Sequence, residues 1–136
     1  MSEIELYEPL YRVSISIIEC GYEEFARLIA ERHANETLYS WNEAFMLESG
    51  TDGYQFHVCG DEQGGGEKFY VWVAEVDDYN IAHELHHLAH DILFTRGIVY
   101  CSQSEEAFAY LTGRLHEMFR PEYQKQREQK REPKAE

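Results

Sequence analysis

The most regular pattern of apolar and polar residues in the chain is a helical one, over residues 79–94. Apolar residues recur there at intervals of three and four and so share one face of a helix: Ile81, Leu85, Leu88 and Ile92. The opposite face is predicted to carry polar residues: His83, Glu84, His87 and Asp91. Asp78 is the predicted N-cap, and Arg96-Gly97 is the predicted C-terminal end. The pattern therefore predicts a helix with one buried apolar face and one face of titratable residues.

A second helix is predicted over residues 103–119, where four apolar residues form one stripe: Phe108, Leu111, Leu115 and Phe119. Upstream of both helices, alternation of apolar and polar residues predicts strands near residues 10–19 and over residues 54–58. A helix is predicted to start at Gly21 and to run through about Glu31.

Between these elements, a segment over residues 69–76 is predicted to be a strand, and its apolar run over residues 69–74 predicts burial on both faces. Residues 44–48 are a short strand candidate, residues 51–53 a turn, and Gly64-Gly65-Gly66 a flexible connection. The fold class that follows is α+β: an N-terminal strand and helix, a small and mainly antiparallel sheet, and two packed C-terminal helices.

The first C-terminal helix contains the sequence His83-Glu84-Leu85-His86-His87, which is an HExxH pattern. Residues four apart lie about 40° apart around a helix, so one metal ion can bridge His83 and His87. A catalytic zinc takes three protein ligands and keeps a fourth position open, and Glu106, which follows His87 after eighteen residues, can be the third. Glu84 is then the candidate general base. A chance HExxH followed by Glu at one fixed position is expected in fewer than about 1% of chains of this composition.

The HExxH, the gap of eighteen residues and the run Glu106-Ala107-Phe108-Ala109 resemble the gluzincin clan of zinc metallopeptidases, over residues 83–113. The resemblance implies a zincin-like fold and zinc as cofactor, with ligands His83, His87 and Glu106. It also implies that Glu84 is the catalytic acid and base in the hydrolysis of a peptide or protein substrate. In gluzincins an edge strand lies along the cleft, and residues 69–75 or 54–59 are the candidates for it.

The chain departs from the gluzincin pattern in two places. Tyr110 stands where the thermolysin branch has an Asp, four residues after the ligand Glu. As a phenol, Tyr110 can orient a ligand or stabilise an oxyanion, and packing is the alternative. The chain also lacks the Gly-x-Met-x-Asn segment of the aminopeptidase branch, so aminopeptidase activity is not implied.

Several residues near the pattern leave alternatives open. Glu105 lies nearer the apolar stripe of the second helix and is the rival third ligand, although its gap from His87 is one residue shorter. His86 and His90 can orient a ligand or contact substrate, but solvated histidines are the alternative. Asp91 is a candidate to support an imidazole ligand.

Charge is distributed unevenly along the chain, whose formal net charge is −14. Residues 1–119 contain 22 acidic and six basic residues. This excess argues against nucleic-acid binding, because phosphate contacts need Lys and Arg. It leaves open an acidic inhibitor that imitates nucleic acid. A zinc-binding module without catalysis is a further alternative to the peptidase.

Length and composition indicate one minimal zincin-like catalytic domain over residues 1–119. Residues 120–136 alternate Lys, Arg, Gln and Glu, which predicts a frayed helix or a disordered tail. No long apolar stretch or signal-like N-terminus occurs, so a cytoplasmic location without membrane association is expected. Three cysteines without CxxC spacing are typical of reduced core thiols.

Overall fold

The fold is described by a computed structural model for residues 1–33, 37–39, 53–59 and 68–131. Five strands and three helices occur in these ranges. The strands are β1 (Ser2–Glu8), β2 (Val13–Glu19), β3 (Thr37–Tyr39), β4 (Gly53–Cys59) and β5 (Lys68–Val73). The helices are α1 (Tyr22–Arg32), α2 (Asp78–Thr95) and α3 (Glu105–Arg131).

The strands form one mixed sheet in the order β1-β2-β5-β4-β3. Only the pair β2 and β5 is parallel, and the other three neighbouring pairs are antiparallel. The parallel pair follows from the connection between these strands, which includes α1 and the hairpin strands β3 and β4. The predicted α+β class with a mainly antiparallel sheet is confirmed.

Helices cover both faces of this sheet. On one face, Phe25 and Ile29 of α1 pack against Tyr70 and Trp72 of β5. On the other face, α2 and α3 lie over the alternate residues of β2 and β5. The larger core on this second face combines residues of four elements, β2, β5, α2 and α3: Ile15, Ile17, Phe69, Val71, Leu85, Leu88, Ile92, Leu111 and Leu115. Because both faces of β2 and β5 are buried, their sequences are mostly apolar, and the polar residues are Ser14, Ser16 and Glu19 in β2 and Lys68 in β5.

The position of β5 corrects one expectation about the cleft. Residues 69–75 cannot be an edge strand, because β5 is hydrogen-bonded to β2 on one side and to β4 on the other. β4 is the better candidate, since β3 pairs only with its last three residues, His57 to Cys59, within the described ranges. The strand expected at residues 44–48 and the Gly64-Gly65-Gly66 connection lie outside the described residues.

α2 begins and ends close to the predicted positions, but its cap differs. The N-cap is Asp77 and not Asp78, since the Asp77 side chain accepts a hydrogen bond from the backbone N–H of Asn80 at 2.7 Å. The helix ends at Thr95, and Gly97 follows with a φ of +76°, a backbone conformation that glycine adopts without strain.

α3 is longer than its apolar stripe predicts, because it continues through the charged segment to Arg131. The part of this segment before residue 132 is therefore helical, and residues 132–136 lie outside the described ranges. The Gln126 amide donates a hydrogen bond to the backbone oxygen of Glu3 at 2.9 Å, and Arg127 lies 3.4 Å from the carboxylate of Glu19. These contacts join the charged half of α3 to the sheet. None of the helices in the described ranges has the length and apolar character needed to cross a membrane.

Candidate metal centre

His83 and His87 lie on the exposed side of α2, one helical turn apart. Their Nε2 atoms are 3.1 Å from each other. Zinc binds imidazole nitrogen at about 2.0–2.1 Å, so two nitrogens on one tetrahedral zinc lie roughly 3.0–3.4 Å apart. In the metal-free chain this is the length of a hydrogen bond between the two rings, and the same spacing also fits two ligands of a single zinc ion.

The protonation state of His87 also suits a ligand. The His87 side chain is accessible from the surface of α2. Protein atoms around its ring nevertheless desolvate it in part, and this desolvation lowers the pKa of His87 below the usual value for histidine. The nearby His83, His86 and His90 lower it further. A neutral imidazole at neutral pH is the form that binds a metal ion.

Glu84 is buried and does not lie on the exposed polar face that its sequence position predicts. Its side chain is only 7% exposed. Burial raises the pKa of this carboxyl from 4.5 to about 7. A carboxyl group with a pKa near 7 can both accept and donate a proton at neutral pH, which is what a general acid and base requires.

Gly53, the first residue of β4, provides the space that Glu84 occupies. A Cβ atom built on Gly53 would lie 2.9 Å from both Cγ and Oε1 of Glu84, closer than such atoms approach in real structures. The absence of a side chain at residue 53 therefore allows the Glu84 carboxyl to lie against the strand. The periodicity of α2 could not predict this contact, because it depends on where β4 lies.

Gly53→Ala is expected to displace the Glu84 carboxyl, and under the sequence-based hypothesis that Glu84 is a general base it should lower hydrolysis by about tenfold or more, because small misplacements of a catalytic group are costly. Zinc content should remain that of the wild type. The matched control is Gly21→Ala, since a Cβ atom at Gly21 meets no atom within 4 Å. Steady-state kinetics and metal content of both variants check this expectation, and an unchanged kcat in Gly53→Ala would contradict the positioning role.

The third predicted ligand, Glu106, does not form a cluster with His83 and His87. Glu106 is exposed in the first turn of α3. Within the described ranges, no three His, Cys, Asp or Glu side chains lie close enough together to hold a metal ion. The pair His83 and His87 thus fits zinc, and binding by Glu106 requires its exposed side chain to change position.

Tyr110, the other residue expected at the site, is 53% exposed. It lies one turn after Glu106 on α3. It lines neither the cavity beside His87 nor the cavity between α2 and α3. Tyr110 is therefore outside the core, and its predicted role as an orienting or oxyanion-stabilising phenol stays a prediction.

A cavity of about 310 Å³ adjoins His87. It is lined by Gln55, His87, His90, Asp91, Phe94, Ile98, Val99, Tyr100 and Phe108. The Oε1 atom of Gln55 is buried and accepts no hydrogen bond from the part of the chain that the structure describes. A buried acceptor without a partner is costly, so an N–H group of a bound ligand would find a favourable position there.

The sequence did not indicate a role for Gln55, and it made Tyr100 a weaker candidate than Tyr110 for an orienting or oxyanion-stabilising phenol. Gln55 belongs to an alternating strand, and only the sheet order places its face against α2. Tyr100 lies between the two C-terminal helices, where no periodicity applies. The signal for Tyr100 is a phenol group in the short connection between two helices that carry titratable residues.

A second cavity, of about 520 Å³, lies between α2 and α3. His86 and His90, a second pair of histidines four residues apart, form its α2 wall with ring centroids 4.5 Å from each other. Glu105 and His116 belong to its α3 wall. This cavity shares His90, Tyr100 and Phe108 with the cavity beside His87.

Together, these residues form a surface with a histidine pair of zinc-like spacing, a buried carboxyl on the same helix and two adjoining cavities. Comparisons of the chain with protein-family models, with curated proteins and with solved structures gave no match.

Proposed function

We propose that the chain is a zinc-dependent peptidase. In this proposal His83, His87 and Glu106 hold the zinc ion, and Glu84 is the general base. The observation that carries the proposal is the 3.1 Å separation of the two Nε2 atoms on the helix that also contains the buried Glu84. The resemblance of residues 83–113 to gluzincins supports the same assignment.

The role of Glu84 follows from its surroundings. A bound zinc ion would supply Lewis-acid activation of the attacking water and of the scissile carbonyl. The Glu84 carboxylate takes a proton from the attacking water and later gives it to the leaving amine. Because its pKa is about 7, neither proton transfer is strongly unfavourable at neutral pH.

The substrate backbone is expected to lie beside the first half of β4. In the described ranges, β3 pairs only from His57 onward, so the edge of Gly53 to Phe56 is the part of β4 nearest to Glu84 that β3 does not cover. An extended peptide can add to such an edge through main-chain hydrogen bonds. The buried Oε1 of Gln55 offers a further acceptor for a substrate N–H group.

Metal content and hydrolysis, measured together, test the proposal. Purified wild-type chain should contain about one zinc ion per chain and should cleave members of a broad peptide library, since a catalytic zinc is a stoichiometric component of its enzyme. His83→Ala should lose both zinc and hydrolysis, whereas Arg114→Ala, on the surface of α3, should keep both.

The same measurement separates the competing functions. An acidic inhibitor would contain no stoichiometric zinc and would bind a basic partner in a salt-dependent way. A zinc-binding module without catalysis would retain zinc and leave every peptide of the library intact. Either result would contradict the proposed peptidase.

A further inference from the structure

The cavity between α2 and α3 has walls suited to an aliphatic side chain. Phe108 and Tyr100 form an aromatic corner, with ring centroids 5.0 Å apart and planes nearly perpendicular. The α3 wall contains the small residues Ala109 and Gly113, and a Cβ atom on Gly113 would meet nothing within 4 Å. The volume of about 520 Å³ is therefore open space that one or more ligand side chains can fill.

The charge at this cavity is negative. Among the described residues that line it, Glu105 is the one carboxylate, and it is exposed. No Lys or Arg of the described ranges forms a salt bridge with it. His116 adds little positive charge at neutral pH, because burial, and then the neighbouring Arg120, lower its pKa.

The wider field of the protein has the same sign. Residues 1–119 contain 22 acidic and only six basic residues. Such an excess attracts cationic ligands and repels anionic ones before contact. An aromatic corner beside a carboxylate is a suitable environment for a cation on an aliphatic stem, which gains both hydrophobic contact and charge pairing.

We infer that the cavity between α2 and α3 binds the side chain of a lysine or arginine in the substrate. The aliphatic stem lies against Phe108 and Tyr100, and the cationic head pairs with Glu105. The identification of this ligand as part of a substrate rests on the proposed peptidase function, because the cavity adjoins the one beside His87. The proposed enzyme is accordingly selective for cationic segments of peptides.

An NMR titration of the full-length chain tests this binding without requiring hydrolysis. The probes are Nα-acetyl-lysine N-methylamide and its norleucine analogue, which has the same aliphatic stem without the charge. The lysine probe should shift the backbone amide resonances of Ala109 and Gly113 and bind about tenfold more tightly than the norleucine probe. Glu105→Gln should reduce this preference to about twofold or less.

Glu117→Gln is the matched control, because it removes the same charge from an exposed position on the same helix. It should retain the preference for lysine. Equal affinities for the two probes would overturn the inference, and so would a preference that survives Glu105→Gln, since the general charge of the protein would then explain it. Absence of shifts at Ala109 and Gly113 would overturn it as well.

Failure of this inference is distinguishable from failure of the proposed function. Glu105-dependent lysine binding by a chain that cleaves no peptide would leave the cavity assignment intact and remove the peptidase. Cleavage without any preference for Lys or Arg would retain the peptidase and remove the cavity assignment.

Discussion

Glu84→Gln is expected to lower kcat by about 10²–10⁴-fold, the usual contribution of a general acid and base. The amide has nearly the same size as the carboxyl and fits the space beside Gly53, but it cannot take a proton from water. Zinc binding should persist, because the proposed ligands His83, His87 and Glu106 are unchanged. The variant therefore separates the loss of the base from the loss of the metal.

The measurement combines zinc content with kcat on a library-derived peptide. Glu117→Gln, an equal change at an exposed position of α3, should retain the wild-type kcat. Substantial turnover by Glu84→Gln with zinc in place would refute the assignment of Glu84 as the base. Loss of zinc from the same variant would show that Glu84 contributes to the metal site itself.

The second large effect concerns the stability of the metal-free protein. The pKa of Glu84 is about 7 in the folded chain, whereas the ordinary pKa of a glutamate side chain, which applies to the unfolded chain, is 4.5. The unfolded chain therefore releases this proton at lower pH than the folded chain, and the wild type loses stability as pH rises from about 4.5 to about 7. Glutamine has no charge to bury, so Glu84→Gln should avoid this loss, which amounts to about 3 kcal/mol above pH 7.

Urea denaturation in the presence of a chelator measures this difference. The free energy of unfolding of Glu84→Gln relative to wild type should increase by about 2–3 kcal/mol between pH 5 and pH 8. Glu117→Gln should show no comparable change over the same interval. A pH-independent difference between Glu84→Gln and wild type would mean that the Glu84 carboxyl is solvated in the metal-free protein.

The elements that the sequence predicted best are those with a regular helical spacing over many residues or with a continuous apolar run. The α2 stripe of Ile81, Leu85, Leu88 and Ile92 is buried as expected, and β5 is buried on both faces. β1 was not predicted, because its alternation involves only two aliphatic residues, Ile4 and Leu6. The charged segment from residue 120 was expected to be a frayed helix or a disordered tail. Its contacts to Glu3 and Glu19 join residues more than a hundred positions apart, so no local pattern could predict them.

In the candidate site, too, the contacts within one helix were predictable and the contacts between distant elements were not. The approach of His83 and His87 follows from their spacing on one helix and was predictable. The burial of Glu84 was not, because it depends on Gly53 in a strand whose position no local pattern determines. The position of the third ligand also depends on how two helices pack together. The prediction of Glu106 instead of Glu105 rested only on the spacing from His87 in the sequence.

The central claim is that His83 and His87 hold one zinc ion beside Glu84. A crystal of the zinc-loaded chain, with anomalous diffraction recorded above and below the zinc absorption edge, tests it most directly. We expect a single anomalous peak about 2.0–2.1 Å from the Nε2 atoms of both His83 and His87. A zinc peak between His86 and His90 instead, or no peak on α2 at all, would contradict the claim.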